Sequence, residues 1–363
     1  MKKVMFVFGT RPEAIKMCPL VMEMKERKSV NAVVCTSGQH RELLSEVLDS
    51  FGIIPDHALS VMQREQSLST LTCNVIESVT RVIESERPDL VLVHGDTSTA
   101  LSAALSAFYC GVDVGHVEAG LRTYNIKSPY PEEFNRRAIS LVAKYHFAPT
   151  ERARANLLVE GVDAKGIFVT GNTAIDAMRL TLRENYTHST LDRLAGRRII
   201  MLTMHRRENL GENMRGTFRA LRRIVEQYED VCVVYPMHPN PRVRRIAEEE
   251  LAAQERIYLI EPLGVFDFHN FLARCYMVLT DSGGIQEEAP YLGKPVLVVR
   301  NTTERPEGIE AGTARLVGCE ENGVFEGVRL LLEDRDLYFE MAQAKNPYGD
   351  GYASSRIVDI LER

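Results

Sequence analysis

The sequence predicts an α/β protein with two domains, each built on a doubly wound, parallel β-sheet. Short and nearly continuous apolar runs alternate with amphipathic stretches of helix length, which is typical of parallel strands covered by helices on both faces. The alternation stops at a polar stretch, residues 186–196, and then restarts. The length of 363 residues is also typical of two domains.

The first half of the chain contains strand-length apolar runs, most of them followed by a turn or a predicted helix. In chain order the predicted strands are Val4–Phe8, Ala32–Thr36, Leu90–His94, Val112–Val117, His146–Ala148 and Ile167–Thr170. The predicted helices between them include Ala14–Arg27, Leu68–Ser85, Thr97–Tyr109 and Glu151–Val159.

The second half repeats the pattern, and its predicted strands are Arg198–Thr203, Val231–Tyr235, Ile257–Ile260, Met277–Thr280 and Val296–Val299. A break at Asn346–Gly349 precedes a last predicted helix, Tyr352–Leu361, which we expect to pack on the first domain. We therefore predict a first domain of residues 1–170 plus 349–363 and a second domain of residues 171–348. Ligands of such sheets bind at the carboxyl ends of the strands, so we expect a cleft between the domains.

The composition excludes several classes of protein. Lys and Arg total 44 and Asp and Glu total 50, a net charge of −6, which argues against binding nucleic acid through charge. No apolar run approaches the ~20 residues of a membrane span, and the first residues lack a signal-peptide cleavage site. The seven cysteines never form C-x-x-C, which argues against a disulfide framework or a structural zinc site. We expect a cytoplasmic protein with no nucleic-acid or membrane partner and no metal.

Two cationic side chains follow the first predicted strand. Gly9–Glu13 is a strand-to-helix turn, and Pro12 is typical of the first turn of a helix. Arg11 can bind an anion at this helix N-terminus, and Lys16 lies one turn later. An ordinary turn with a solvated Arg11 is an equally good interpretation of this segment taken alone. The G-x-G-x-x-G pattern is absent, so no dinucleotide cofactor is predicted.

Two candidate carboxylates follow strands of the first half, and a third, Glu132, lies further along the chain. Asp96 follows Leu90–His94 and Glu118 follows Val112–Val117, so both should lie at one edge of the sheet. Burial of Glu118 among small and apolar residues is costly unless it has a partner or a chemical task. The alternative for Asp96 is an N-cap. Glu132 precedes Arg136 by four residues, a spacing that equally predicts a surface ion pair on a helix.

Basic loops follow the strands of the second half. His205 and Arg206 follow Arg198–Thr203, and histidine beside arginine at a strand end is typical of an anion site. A solvated basic loop is the alternative. His238 follows the next predicted strand in the same way.

The segment Asp281–Glu288 is the most informative loop of this half. Ser282 and the two glycines after it enter a helix and present backbone N–H groups to which a phosphate can bind. Glu288, one turn later, can reach a ribose diol, and Arg305 adds a cation after the last predicted strand. The loops of the second half therefore predict a nucleoside-diphosphate site, and the carboxylates of the first half predict the reactive side of a nucleotide-sugar enzyme.

Seven motifs together resemble the bacterial, non-hydrolysing UDP-N-acetylglucosamine 2-epimerase family. In chain order they are F-G-T-R-P-E-A-I-K, H-G-D-T, H-V-E-A-G-L-R-T, P-E-E-x-N-R, T-x-H-R-R-E-N, D-S-G-G-I-Q-E-E-A and T-E-R-P-E. The resemblance implies two Rossmann-like domains of the glycosyltransferase-B type, a homodimer, no nicotinamide cofactor and a product used in cell-wall or capsule polysaccharide synthesis. Leu263 stands where some relatives have a polar residue.

The resemblance also implies roles for individual residues. The implied active-centre residues are Arg11, Lys16, Asp96, Glu118, Glu132, Arg136 and His205. The implied UDP-binding residues are Phe268, which would line the uracil pocket, and Ser282, Gly283, Gly284, Glu288 and Arg305. A second, activating UDP-GlcNAc is implied, and the candidates to bind it are Gln39, His40, Gln66, Arg206 and His238.

The reaction that the resemblance implies requires removal of a hydrogen at C2 that no carbonyl activates. Elimination of UDP through 2-acetamidoglucal is the chemically accessible route. Cations, here Arg11, His205 and Arg305, then stabilise the departing diphosphate. Two of the three predicted carboxylates act as base and acid on opposite faces of C2, and their order is open.

Four alternatives remain at this point. A hydrolysing epimerase would release ManNAc and UDP, and a related epimerase would act on diacetamido uronate sugars. A glycosyltransferase of the same architecture would need an acceptor pocket. A catalytically inactive UDP-sugar sensor would have no use for the three carboxylates.

Overall fold

The strands are buried on both sides, as their composition predicts. The computed structural model of the protein describes residues 1–27, 30–38, 41–61 and 66–363. In strand β1 (Lys2–Phe8), the side chains of Val4 and Phe6 belong to the apolar core on one face, and those of Met5 and Val7 belong to the core on the other. A strand with two apolar faces has no polar side to expose, which explains the continuous apolar runs.

The chain forms two units. The first comprises Met1–Leu180 and Tyr348–Arg363, and the second comprises Thr181–Pro347. After β1, the strands that the structure describes in the first unit are β2 (Val30–Thr36), β3 (His57–Ala58), β4 (Leu90–His94), β5 (Asp113–Val117), β6 (Tyr145–Ala148) and β7 (Ile167–Val169). They pair in parallel in the order β3-β2-β1-β4-β5-β6-β7.

Helices connect these strands and cover both faces of the sheet. They are α1 (Arg11–Arg27), α2 (Arg41–Ser50), α3 (Leu68–Glu86), α4 (Ser98–Tyr109), α5 (Glu132–Val142), α6 (Glu151–Val159) and α7 (Thr173–Thr181). A right-handed crossover through each helix is the ordinary connection between parallel strands.

The second unit has the same kind of sheet. Its strands are β8 (Arg198–Thr203), β9 (Val231–Pro236), β10 (Ile257–Ile260), β11 (Met277–Thr280), β12 (Val296–Val298) and β13 (Ala314–Leu316), in the parallel order β10-β9-β8-β11-β12-β13. Its helices are α8 (Ser189–Arg193), α9 (Glu212–Gln227), α10 (Pro241–Leu251), α11 (Val265–Arg274), α12 (Gly283–Glu288), α13 (Pro306–Glu310), α14 (Glu321–Glu333) and α15 (Arg335–Gln343). The chain then returns to the first unit as α16 (Ala353–Glu362).

The predicted fold class, two α/β units with parallel sheets, is confirmed. Each predicted strand corresponds to a strand of the structure, with ends that differ by at most two residues. The short strands β3 and β13 were not predicted, because two or three residues carry no periodic pattern. The first unit extends to Leu180, whereas the sequence placed the start of the second domain at residue 171. Helix α7 stays with the first unit because Ala177 lies in its apolar core.

One glycine beside β5 allows a close approach between backbones. Gly120 has a φ of 89°, and a Cβ at this position would overlap the carbonyl oxygen of Ala153 in α6. We expect Gly120→Ala to lower the free energy of unfolding by about 2–4 kcal/mol, measured by urea denaturation. The control is Gly161→Ala, which has a φ of 84° and open space around a Cβ, and should cost only about 1–2 kcal/mol. Equal costs would contradict the expectation.

Candidate active site

The predicted site residues of the first unit lie where the strand order reverses. Strands β1 and β4 are neighbours, and the chain proceeds from them toward opposite edges of the sheet. The loops that follow two such strands flank the crevice in which doubly wound sheets bind ligands. Arg11 opens α1 after β1, and Asp96 follows β4.

A buried carboxylate joins these two loops. Glu13 Oε2 accepts hydrogen bonds from the backbone N–H groups of Gly9 at 3.0 Å and Thr10 at 2.8 Å. Its Oε1 accepts from the hydroxyl of Thr97 at 2.7 Å. Burial raises the pKa of Glu13, although the hydrogen bonds from Thr97, Gly9 and Thr10 oppose this shift. The loop that carries Arg11 and the loop that carries Asp96 are therefore fixed to each other.

Glu118 is held by groups from three other segments. It follows β5 with a φ of 63°, a conformation rarely adopted by residues other than glycine. Its Oε2 contacts Lys16 Nζ of α1 and accepts from Asn172 Nδ2 at 2.7 Å, and His94 Nε2 lies 3.9 Å away. The side chains of Glu118 and Lys16 are only 8% and 15% exposed. A carboxylate between an ammonium and an amide donor is stabilised in its charged form.

Asp96 is available for an ion pair because another residue caps the helix. Thr97 is the N-cap of α4, and its hydroxyl accepts from the N–H of Ala100 at 3.0 Å, so the N-cap alternative for Asp96 is wrong. The Asp96 carboxylate instead accepts from the guanidinium of Arg136 in α5. Asn135 Nδ2 donates to the Asp96 carbonyl at 2.8 Å and so fixes α5 to this loop.

Glu132, the first residue of α5, completes the acidic group. Its expected ion pair with Arg136 is not formed in the described part of the chain, because Arg136 contacts Asp96 and lies 3.4 Å from buried Glu133. Burial raises the pKa of Asp96, Arg136 lowers it, and the charges of Glu118 and Glu132 raise it, with a net increase. Asp96 thus lies within the electrostatic influence of the two other predicted carboxylates, and such neighbours can divide acid and base roles.

Three buried histidines of the first unit predict acid sensitivity. Burial lowers the pKa of His94 and of His146 to about 4 and that of His116 to about 3. An unfolded histidine titrates near pH 6.5, so the unfolded state binds more protons below that pH. We expect the free energy of unfolding to fall as the pH decreases from about 6.5 towards 4.

Urea denaturation near pH 7 and near pH 5 measures this effect. The variant His146→Gln removes one ring whose pKa burial lowers, and it should make the pH dependence of the free energy of unfolding shallower. The same dependence in His146→Gln as in the wild type would contradict the expectation.

The second unit shows the corresponding arrangement at its own reversal of strand order, between β8 and β11. Asp281 directly follows β11 and is fully buried. Its Oδ2 accepts from the N–H groups of His205 at 3.0 Å and Arg206 at 2.8 Å, and from Asn209 Nδ2 at 3.0 Å. One carboxylate therefore orders the basic loop after β8.

Two arginines lie beside the first residue of α12. A Cβ on Gly283 would be 3.8 Å from Arg206 Nη2 and 3.8 Å from Arg305 Cζ. Arg206 pairs with Glu304 at 3.2 Å, and Arg305 pairs with buried Glu287. These ion pairs hold both guanidinium groups beside the start of the helix, an arrangement that matches the charge of a diphosphate.

The other predicted UDP-binding residues lie on α12 and on the neighbouring α11. Glu288 ends α12, and its Oε2 is 3.8 Å from Nε2 of buried His269. A Cβ on Gly284 would be 3.8 Å from Glu288 Oε1. Ser282 precedes the helix, and Phe268 on α11 contacts the ring of His269 at a centroid distance of 6.3 Å.

Two of the residues expected at a second UDP-GlcNAc site, Arg206 and His238, belong to the second unit. Arg206 lies in the basic loop after β8, and His238 lies beside that loop. The rings of His205 and His238 stack at 5.2 Å with an interplanar angle of 10°. Burial lowers the pKa of His238, and the neighbouring His205 lowers it further. Arg206 lies in the same loop as His205, and its guanidinium lies beside Gly283 at the start of α12.

The other candidates for that second site belong to the first unit. Gln66 Nε2 donates to the carbonyl of Val61 at 3.2 Å. Gln39 and His40 lie outside the described residues. The expected role of Gln39, His40 and Gln66 in binding a second UDP-GlcNAc stays a prediction.

Within the described ranges, no group of three His, Cys, Asp or Glu side chains is arranged to bind a metal ion. Over the same residues, no helix combines the length and the apolar character needed to cross a bilayer.

Known proteins resemble this chain along nearly its whole length. Residues 22–362 match the family model described as UDP-N-acetylglucosamine 2-epimerase. The UDP-N-acetylglucosamine 2-epimerase of Bacillus subtilis is 54% identical over 99% of this chain and 94% of that protein. The chain belongs to the UDP-N-acetylglucosamine 2-epimerase family.

Solved structures of similar proteins have the same fold. The Neisseria meningitidis UDP-GlcNAc 2-epimerase bound to UDP-GlcNAc has a TM-score of 0.90 and 45% identity, covering 99% of each chain. A structure of S. aureus MnaA with UDP has a TM-score of 0.92 and 50% identity, covering 100% of this chain and 96% of that one.

Three residues that organise these loops were not among the predicted site residues: Glu13, Asn172 and Asp281. Glu13 has a recognisable signal, because Thr10 and Glu13 have the T-x-x-E spacing of a capping box, and the carboxylate does accept from the Thr10 N–H. Asp281 follows a buried strand, where an acidic side chain needs donors. Asn172 has the local signal of a residue that caps a helix, but nothing local indicates its contact with Glu118, which is 54 positions away.

Proposed function

We propose that this protein is a UDP-N-acetylglucosamine 2-epimerase that interconverts UDP-GlcNAc and UDP-ManNAc by elimination and re-addition of UDP. The grouping of Asp96, Glu118 and Glu132 with the cations Lys16 and Arg136 in the first unit carries the proposal. Membership of the epimerase family supports it. Each carboxylate has a different set of charged neighbours, so they can differ in protonation at one pH.

In the first step the C1–O bond to UDP breaks, and its electron pair leaves with the diphosphate oxygen. One carboxylate of the first unit takes the proton from C2, and the C2–H electron pair forms the double bond of 2-acetamidoglucal. Arg11, His205 and Arg305 stabilise the negative charge that develops on the diphosphate. Lys16 stabilises the charged form of Glu118 beside it.

In the second step UDP adds back to C1, and a different carboxylic acid delivers a proton to the opposite face of C2. Atoms and charge balance over the two steps, so no cofactor is required. The UDP is bound by the second unit, and the residues that we assign to it are Phe268, Ser282, Gly283, Gly284, Glu288 and Arg305.

Three further properties belong to the proposal. The enzyme returns UDP to the sugar instead of admitting water, acts as a homodimer in the cytoplasm, and is activated by a second UDP-GlcNAc at a site that includes Gln39, His40, Gln66, Arg206 and His238. A sigmoidal dependence of rate on UDP-GlcNAc concentration and a dimeric mass by light scattering are expected. Hyperbolic kinetics or a monomeric mass would contradict the corresponding statement.

Incubation with UDP-GlcNAc in heavy water, followed by NMR, tests the activity. We expect UDP-ManNAc with deuterium at C2, and deuterium also in the recovered UDP-GlcNAc because the reaction is reversible. Free ManNAc with UDP would contradict the re-addition step, and unchanged UDP-GlcNAc would contradict the function altogether.

A further inference from the structure

One side chain at the start of α7 connects three parts of the first unit. Asn172 is 2% exposed. Its backbone N–H donates to the carbonyl of Tyr348 at 2.7 Å, where the chain has returned to this unit. Its Oδ1 accepts from the N–H of Ala174 at 3.0 Å, and its Nδ2 donates to Glu118 Oε2 at 2.7 Å.

These partners determine the orientation of the Asn172 amide. With the oxygen and nitrogen exchanged, an NH2 group would face the N–H of Ala174, and a carbonyl oxygen would face the Glu118 carboxylate. Both hydrogen bonds would be lost and two repulsive contacts would replace them. The side chain therefore presents a donor to Glu118 in one orientation.

The backbone around Asn172 is equally constrained. Gly171 has a φ of 89°, and a Cβ there would be 3.3 Å from the Cα of Gly349. The backbones of the segments around Gly171 and Gly349 thus pass each other at a distance that only glycine permits without displacement. This close crossing keeps Asn172 at a fixed distance from Glu118.

We infer that Asn172 is a positioning residue, which orients the Glu118 carboxylate and keeps it charged for proton transfer at C2. The inference rests on the proposed function. The charged or titratable groups that face Glu118 include Lys16 from α1, His94 from β4 and Asp96 from the loop after β4. Lys16 and Asn172 contact the same oxygen of Glu118, so loss of the amide donor removes one of the contacts that restrain this oxygen.

The variant Asn172→Asp isolates this contact. Aspartate can still accept from the N–H of Ala174, as it does at helix N-caps, so the start of α7 is retained. In its charged form it cannot donate to Glu118, and it adds a second negative charge beside it. We expect the acid limb of the kcat/KM profile for UDP-GlcNAc to move to higher pH by about one unit or more, an approximately tenfold loss at a given pH on that limb. Asn172→Ser, which removes the donor without adding charge, should shift the limb in the same direction by less.

The control is Asp176→Asn, a substitution in α7 at a residue whose carboxylate binds α16 instead of Glu118. The Asp176 carboxylate accepts from the N–H groups of Ser354 at 2.7 Å and Ala353 at 3.1 Å. Loss of the Asp176 carboxylate should lower the Tm and leave the pH profile of kcat/KM for UDP-GlcNAc unchanged. An unshifted profile in both Asn172 variants, or an equal shift in Asp176→Asn, would overturn the inference. Failure of the proposed function is separately visible, because the wild type would then not epimerise UDP-GlcNAc.

Discussion

Asp96→Asn is expected to lower kcat/KM for UDP-GlcNAc by about 100- to 10,000-fold, and Glu118→Gln by a similar factor. An amide can occupy the same volume but cannot accept or deliver the C2 proton. The first variant would break the ion pair between Asp96 and Arg136, and the second would break the ion pair between Glu118 and Lys16. The measurement is the rate of deuterium entry at C2 in heavy water. Calorimetric titration with UDP should give dissociation constants close to that of the wild type, because we assign UDP to the second unit.

A matched control lies on the same strand as Glu118. Asp113 begins β5, at the end opposite to Glu118, and forms an exposed ion pair with Lys144. Asp113→Asn removes a carboxylate from the first unit without touching the site, and it should retain nearly full activity. Undiminished deuterium entry in Asp96→Asn, Glu118→Gln and Glu132→Gln would remove the assignment of these carboxylates to proton transfer.

Asp281→Asn is expected to lower the free energy of unfolding by about 2–3 kcal/mol and to weaken UDP binding. The buried carboxylate accepts from His205, Arg206 and Asn209. An asparagine has one acceptor oxygen, and an NH2 group in place of Oδ1 would face the His205 N–H, which lies 3.2 Å from that oxygen. The basic loop after β8 would lose its order, and Arg206 would no longer be held beside Gly283.

Urea denaturation and UDP titration measure the two effects. Asp230→Asn, which breaks an exposed ion pair with Arg198 in the same unit, is the control and should cost less than about 1 kcal/mol. Wild-type stability in Asp281→Asn would contradict the structural role of this carboxylate. Weaker stability with unchanged UDP affinity would contradict its effect on the nucleotide site.

The strands and the site-bearing loops could be predicted because local sequence determines them. A continuous apolar run such as Val4–Phe8 has few structures available besides a parallel strand with two buried faces. The residues after it then occupy the carboxyl edge of the sheet, so Arg11, Asp96 and Glu118 could be assigned to one edge. The position of the unit boundary could not be predicted, because it depends on which core Ala177 joins.

The partners of the site residues could not be predicted, because they are far apart in sequence. Lys16 and Glu118 are 102 positions apart. The spacing of Glu132 and Arg136 predicts an ion pair within the helix, but Arg136 pairs with Asp96, 40 positions away. A local rule is overridden here by a tertiary neighbour whose carboxylate lies closer to the guanidinium.

The return of α16 to the first unit has a consequence for biosynthesis. Ile357, Val358 and Leu361 of this helix share an apolar core with Val4 and Phe6 of the first strand. On the ribosome, all residues of the second unit are translated before this last helix is made. A nascent chain therefore contains all residues of the second unit before α16 is made. At that stage the first unit still exposes the apolar residues that α16 later covers.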